Sequence, residues 1–236
     1  MCLQEATSCH DIGGYSLKES EQLFFLFEAN RNRENAGPMS AYMKNHFPFL
    51  GIKSPDRRIL MTQFFRDTGI LKKPFSEAFV RELWSYPERE LQYAAMDYMM
   101  KYAKKLEKGY ISLLKELIEQ KSWWDSVDAI ASNLVGSIAA KYPELMDEYI
   151  EHWSKHENMW LRRTAILFQL KYKEKTDEER LYRYILRNAD SGEFFIQKSI
   201  GWALREYSKT NPESVRAFIE SHSLAKLSVR EGSKYI

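Results

Sequence analysis

The stretch Lys121-Ser122-Trp123-Trp124-Asp125-Ser126-Val127-Asp128 places two indoles and two carboxylates within two turns of a predicted helix. Ser122 is the predicted N-cap. Trp124 and Asp128 are four residues apart, so they share one face of that helix. A second face is predicted to enter the core, and it carries Val127, Ile130, Leu134 and Ile138. The stretch therefore predicts an amphipathic helix on which Trp124 and Asp128 lie away from the core.

The pairing of Trp124 with Asp128 has two interpretations. An aromatic plate beside a carboxylate suits a site that handles a cationic or partly cationic sugar or base. In the structural interpretation, Trp124 fills a gap and Asp128 binds an arginine of a neighbouring helix. Residue type and spacing alone favour the structural interpretation and leave the functional one open.

The rest of the chain repeats the helical pattern. Apolar residues recur with helical spacing, and the alternation typical of strands is absent over any useful length. Proline marks helix starts, as at Pro38, Pro55 and Pro212. The predicted helices include 20–30, 75–84, 88–106, 110–119, 124–141, 145–156, 159–172, 178–188, 193–209 and 214–221. With their short connections they predict an all-α fold of antiparallel helix pairs, stacked as a HEAT-like α-solenoid with a concave groove.

Composition bounds the class of protein. The 236 residues are 44% hydrophobic and carry a net charge of +2, so a folded globular protein is predicted and charge alone indicates no nucleic-acid partner. We predict a flexible extension over 1–17 and a single domain over 18–236. Cys2 and Cys9 are the only cysteines, which favours a reducing compartment. No apolar run is long enough to span a membrane, and a soluble, cytoplasmic protein is predicted.

Two further segments carry candidate site residues. Arg163 is predicted to point out of the core, where its guanidinium could bind a phosphate or a carboxylate. Lys198, Trp202 and Arg205 are spaced to share one helix face, so an indole lies between two cations. That face suits a polyanion with flat bases or sugars, or else two cations that extend over a packed indole. Gly201, inside the same helix, predicts a close approach of backbone or ligand.

No metal or cofactor site is predicted. His152 and His156 have the spacing of a helical metal pair, but no third ligand is evident and both are predicted to be exposed. Cys2, Cys9 and His10 lack a second ligand pair at zinc-site spacing. Phosphate-binding loops, dinucleotide fingerprints and the zinc signature of deaminases are also absent from the sequence.

Four motifs resemble the AlkD family of bacterial DNA alkylation repair glycosylases, in order and over about residue 36 to the C-terminus. They are AYMKNHFPFLGIKSPDRR, KSWWDSVD, NMWLRRTAILFQLKYKEKT and EFFIQKSIGWALREYSKTNP. The resemblance implies HEAT-like repeats and hydrolysis of the N-glycosidic bond of N3- and N7-alkylated purines in duplex DNA. It also implies action without a cofactor and without flipping of the target base, and hence tolerance of bulky adducts. A monomer is the expected state.

The resemblance also assigns roles to residues. Trp124 and Asp128 match the family's catalytic tryptophan and aspartate, Arg163 its active-site arginine, and Trp202 its second catalytic tryptophan. The residues predicted to contact DNA are Arg205, Lys198, Tyr42 and Lys121. Since the four central residues are all present, we expect an active enzyme.

Two alternatives from other classes stay open. One is a non-catalytic HEAT-repeat protein that binds damaged or distorted DNA, for which Asp128 would be dispensable. The other is a protein-interaction scaffold, for which binding to duplex DNA would depend little on salt.

Overall fold

The structure, a computed structural model, describes residues 17–236, and within this range it is helical with no strand. The predicted all-α fold of the α-solenoid class is confirmed. The helices are α1 (Glu19–Ala29), α2 (Arg33–Tyr42), α3 (Ser54–Thr68), α4 (Glu77–Ser85), α5 (Arg89–Tyr102), α6 (Ile111–Glu119), α7 (Trp124–Ala129), α8 (Gly136–Lys141), α9 (Glu151–Trp153), α10 (Met159–Leu167), α11 (Glu178–Arg187), α12 (Phe194–Tyr207), α13 (Pro212–Ser221) and α14 (Lys226–Gly232). Cys2, Cys9, His10 and nearly all of the predicted extension lie outside the described residues.

The chain forms two compact units, the first ending at Asp97 and the second covering Tyr98–Ile236. In the first unit, α1 packs against α3 and α4. In the second, α10 packs against α6, α7 and α12, and α12 packs against α14. That 18–236 forms a single domain stays a prediction.

A buried carboxylate organises the loop before α3. Glu90 accepts hydrogen bonds from the backbone N–H groups of Leu50 (3.0 Å), Gly51 (2.9 Å) and Ile52 (3.0 Å). Burial raises the pKa of Glu90, and these backbone donors act against the rise. Gly51 has φ +89°, and a Cβ there would lie 1.9 Å from the carbonyl oxygen of Asn32, so only glycine fits.

Two predicted helix starts are wrong. Helix α2 begins at Arg33, after an Asn32 cap that accepts from the Asn35 N–H (3.0 Å), and Pro38 lies inside it rather than in its first turn. Because α2 buries none of its residues, no apolar periodicity marked its beginning. Ser122 is not the cap of α7, since its hydroxyl donates to the carbonyl of Ile118 (2.6 Å) at the end of α6.

The helix predicted over 124–141 contains a π-helical segment, Ile130–Val135, between α7 and α8. The predicted core face is confirmed, because Val127, Ile130, Leu134 and Ile138 are all buried. A π-helical turn interrupts the usual pairing of carbonyls with N–H groups four residues on. Two carbonyls before this segment accept hydrogen bonds from side chains. The Ser132 hydroxyl donates to the carbonyl of Asp128 (2.9 Å), and the Asn133 amide donates to the carbonyl of Ala129 (2.9 Å).

Gly136 follows the π-helical segment and touches the chain just after α10. A Cβ at this position would lie 2.4 Å from the carbonyl oxygen of Phe168. We expect Gly136→Ala to lower the free energy of unfolding by about 1–3 kcal/mol, because the backbone of two packed elements must separate. Urea unfolding measures the change. Gly109→Ala is the matched control, since a Cβ there meets nothing within 4 Å; equal stability of the two variants would contradict the expectation.

Candidate active site

A bidentate ion pair joins α7 to α10. Arg163 donates from Nε to Oδ1 of Asp128 (2.7 Å) and from Nη2 to Oδ2 (2.8 Å). Its Nη1 donates to the carbonyl of Phe195, at the start of α12. Because all three guanidinium nitrogens donate hydrogen bonds, Arg163 fixes the Asp128 carboxylate of α7 relative to α10 and α12.

The contact with Asp128 corrects the predicted orientation of Arg163. The side chain does not point out of the core, since Arg163 is only 4% exposed. The reason is that α10 is buried almost all round, and only Arg162 turns outward in the run from Trp160 to Leu167. The ion pair is the contact that the structural interpretation of Asp128 predicted, so that interpretation is confirmed for this contact.

A cluster of three aromatic rings adjoins the arginine side of the pair through Phe195. The ring centroids of Trp123, Trp160 and Phe195 lie 5.0–5.8 Å from one another. The guanidinium carbon of Arg163 lies 5.8 Å from the Phe195 ring centroid. Apolar rings exclude water, and a low local dielectric strengthens the attraction between the two charges.

Burial and Arg163 act in opposite directions on Asp128. Burial raises the pKa of the Asp128 carboxyl, whereas the hydrogen bonds and charge of Arg163 lower it and the nearby charge of Asp125 raises it further. Both carboxylate oxygens accept from Arg163, which is the geometry of the ionised form. The side chain is 13% exposed, and two of its roughly four lone-pair sites are taken, so it can still accept a hydrogen bond from outside.

The two predicted tryptophans lie on helices that adjoin the pair. Trp124 is half-buried on α7, one turn before Asp128. Trp202 is half-buried on α12 and packs against the apolar cluster that includes Ile196 and Ile200. Phe195 and Trp202 are seven residues apart on one face, about 10 Å along the helix axis. Trp202 therefore lies about two turns along α12 from the contact between Phe195 and Arg163.

The predicted DNA-contacting residues fall into three places. Lys198 and Arg205 flank Trp202 on α12, and the predicted common face of all three is confirmed because they lie at i, i+4 and i+7 of one continuous helix. Lys121 lies between α6 and α7 with φ +49°, a strained conformation for a lysine. Tyr42 ends α2 in the first unit and is 69% exposed.

Sequence reasoning missed two features of the second unit. Phe195, whose carbonyl and ring meet Arg163, gave no signal beyond its place among aromatic residues. Helix α14 was not predicted, and its buried Glu231 pairs with both Lys198 (3.4 Å) and Arg205 (3.2 Å). The predicted close approach at Gly201 is confirmed, because a Cβ there would lie 2.5 Å from the Cβ of Glu231.

Residues 17–236 hold neither a metal-ligating cluster nor a helix that could span a membrane. No group of three or more His, Cys, Asp or Glu is arranged to hold a metal ion in that range. His152 is exposed as predicted, but His156 is half-buried and accepts from the N–H of Asn158 (3.0 Å). None of the helices described is long and apolar enough to cross a membrane.

Comparison with known proteins identifies the family. The family model described as DNA alkylation repair enzyme matches residues 26–236. A predicted DNA alkylation repair enzyme from Enterococcus faecalis is 38% identical, with a TM-score of 0.81 over 87% of this chain and 96% of that one. The smu.31 protein from Streptococcus mutans UA159, 16% identical over 93% of this chain and 100% of its own, has a TM-score of 0.59 and shares the fold. No curated protein matches. With most of its length matched, the chain belongs to the family of DNA alkylation repair enzymes.

Proposed function

We propose that the protein is a DNA glycosylase that hydrolyses the N-glycosidic bond of N3- and N7-alkylated purines in duplex DNA, as the first step of base excision repair. The observation that carries the proposal is the carboxylate of Asp128, held by Arg163 on the helix that bears Trp124. A fixed negative charge with an accessible edge is what a reaction that develops positive charge requires.

The substrate determines the chemistry. An N3- or N7-alkylated purine carries a positive charge, so it leaves as a neutral base with little help from a general acid. As the bond from the sugar C1′ to the purine breaks, its electron pair goes to the base and positive charge develops on the deoxyribose. Water then forms the new bond to C1′ and loses a proton, which leaves an abasic sugar.

Each residue has a role in this reaction. Asp128 stabilises the sugar cation and orients the water through its remaining lone pairs. Trp124 and Trp202 hold the cationic sugar with their ring faces and add cation–π attraction. Arg163 is a positioning residue, because its nitrogens are engaged by Asp128 and Phe195 rather than directed at a phosphate. Lys198, Arg205, Lys121 and Tyr42 bind the duplex.

The remaining features of the proposal follow the chemistry. Since the alkylated purine is already cationic before the bond breaks, neither a metal nor an organic cofactor has a part. A single duplex site needs no second subunit, so we propose a monomer that acts on bacterial DNA in the cytoplasm.

A panel of lesions tests this proposal. Duplexes with one N7-methylguanine, one N3-methyladenine or one bulky N7-alkylguanine are expected to release free base. Duplexes with uracil or hypoxanthine, which are uncharged, are expected to be cleaved at least about 100-fold more slowly, because the barrier rises when the leaving group is an anion. Liquid chromatography with mass spectrometry measures the released base. Equal release of charged and neutral lesions would contradict the proposed mechanism, and failure with every adduct larger than methyl would contradict the expected tolerance of bulk.

A further inference from the structure

A buried glutamate on α14 gathers four cations in the second unit. Glu231 is 10% exposed at its side chain, and its carboxylate oxygens lie 2.7 Å from Nζ of Lys234 and 3.2 Å from Nη1 of Arg205. Nζ of Lys198 lies at 3.4 Å and Nη2 of Arg230 at 3.8 Å. Hydrogen bonds from Lys234, together with Lys198, hold the pKa of Glu231 at about 2, so it stays ionised at every physiological pH.

Gly201 explains why Glu231 reaches both cations of α12. The missing side chain at this position lets α14 approach, with Ser228 O 3.0 Å and Glu231 Cβ 2.5 Å from where a Cβ would lie. Lys198 and Arg205 are three residues before and four residues after Gly201, on the same face. The carboxylate therefore pairs with both of these cations, which flank Trp202 along α12.

The charges of this cluster do not cancel. Within residues 17–236, Glu231 is the ion-pair partner of all four cations, which leaves an excess of three positive charges. Its outer members face solvent, since Arg230 is 71% exposed and Lys234 47%. A positive excess of this kind at the surface attracts polyanions.

A second arginine cluster on α11 provides the contrast. Arg180, Arg183 and Arg187 meet Glu151, whose Oε1 lies 2.5 Å from Nη2 of Arg187. Further carboxylates pair with the same arginines, namely Asp147, Asp177 and Glu179. That network has four carboxylates for three arginines and so keeps no positive excess, whereas the cluster around Glu231 does.

We propose that Glu231, with Lys198, Arg205, Arg230 and Lys234, forms a binding site for backbone phosphates of duplex DNA beside Trp202. Glu231 is its positioning residue. It holds the cations of two helices in one arrangement, so that less side-chain entropy is lost when phosphates bind. An indole flanked by cations favours a nucleic acid over an acidic protein, since sugars and bases offer flat faces to Trp202. The choice of duplex DNA as the ligand rests on the proposed function.

Binding to an undamaged duplex at several salt concentrations tests the outer cations. Arg230→Gln and Lys234→Gln are each expected to lower the slope of log K against log salt by about 1, because each removes one phosphate contact. Arg216→Gln, at an exposed arginine of α13, is the matched control and should leave the slope unchanged. Equal slopes for all three variants and the wild type would overturn the site.

Glu231→Gln tests positioning against simple charge. This variant gains one unit of positive charge, and charge alone would tighten binding. Positioning predicts the opposite, about 5- to 10-fold weaker binding to the undamaged duplex. Glu206→Gln, which makes the same change in net charge on α12, should bind as tightly as the wild type or more tightly. Tighter binding by Glu231→Gln would overturn the positioning role.

These binding measurements can be interpreted separately from the glycosylase assay. An undamaged duplex has no base to release, so an inactive protein whose variants bind as expected would contradict the proposed function and support this site. Conversely, variants that release base and bind the undamaged duplex like the wild type would support the proposed function and contradict this site. If thermal unfolding shows that Glu231→Gln does not fold, Arg230→Gln and Lys234→Gln carry the test, because they leave Glu231 with its partners on α12.

Discussion

Arg163→Met is expected to lower the free energy of unfolding by about 3–5 kcal/mol, because it leaves a buried carboxylate without its partner. Both oxygens of Asp128 accept from Arg163, and the side chain is only 13% exposed, so water replaces little of what is lost. Methionine keeps similar bulk beside Phe195, which limits the effect of a cavity. Urea unfolding at neutral pH measures the change.

The loss should depend on pH in a defined direction. Burial raises the pKa of Asp128 and Arg163 lowers it, so removing Arg163 raises it further. The folded variant then binds a proton at Asp128 more tightly than its unfolded chain does, and its stability falls as pH rises from the ordinary aspartate value of about 3.9 through the raised folded value. The deficit relative to the wild type should therefore be larger at pH 8 than at pH 5.

Arg162→Met is the matched control for this pH dependence. Arg162 is the neighbouring arginine of α10, and it donates to the carbonyls of His156 (2.7 Å) and Glu157 (2.8 Å) rather than to a carboxylate. Its deficit should be the same at both pH values. A deficit of Arg163→Met that shrinks as pH rises would contradict the assigned balance at Asp128.

Asp128→Asn is expected to slow base release by about 1,000-fold. A unit charge about 4 Å from the developing sugar cation contributes about 4 kcal/mol at an effective dielectric constant of 20, which corresponds to that factor. Asparagine also places an amide N–H₂ group where one carboxylate oxygen accepts from Arg163. The side chain that orients the water is then no longer held by two hydrogen bonds. Single-turnover release of N7-methylguanine from a duplex measures the rate.

The neighbouring carboxylate provides the control. Asp125→Asn makes the same change in charge on α7, three residues before Asp128, and should retain release to within a few fold. Thermal unfolding and binding to the undamaged duplex are measured for both variants, so that a folding defect is not mistaken for lost catalysis. Similar slowing of both variants would show that charge on α7 in general, rather than Asp128, matters.

The sequence predicted the core because burial follows helical spacing. Val127, Ile130, Leu134 and Ile138 enter the core as predicted, although a π-helical segment interrupts the helix that carries them. The interruption was not predictable, because side chains of Ser132 and Asn133 serve carbonyls that the helix itself would normally satisfy.

Helices without an apolar stripe were missed or misplaced. Helix α2 buries nothing, so its start was placed at Pro38 instead of Arg33. Helix α14 is seven residues long and buries Ser228, Glu231 and Gly232, none of which is an apolar signal. Helix α14 packs where Gly201 has no side chain. The sequence predicted a close approach at Gly201 but not which element approaches.

For the proposed site residues, the sequence predicted contacts within a helix better than contacts between helices. Spacing placed Trp124 with Asp128 and Lys198 with Trp202, because both pairs lie within one helix. The pair of Asp128 with Arg163 spans 35 positions and two helices, and no local pattern reports such a contact. The structural and functional interpretations of Asp128 are therefore compatible, since the arginine that buries the carboxylate also orients it.

The most direct test of the proposed function is product analysis on a duplex that holds a single N7-methylguanine, incubated with the wild-type protein in EDTA. We predict free N7-methylguanine in solution, an abasic site in the strand that breaks in hot alkali, and loss of both products with Asp128→Asn. A duplex that stays intact while the wild-type protein binds it tightly and with strong salt dependence would contradict hydrolysis, and would leave a non-catalytic binder of damaged DNA.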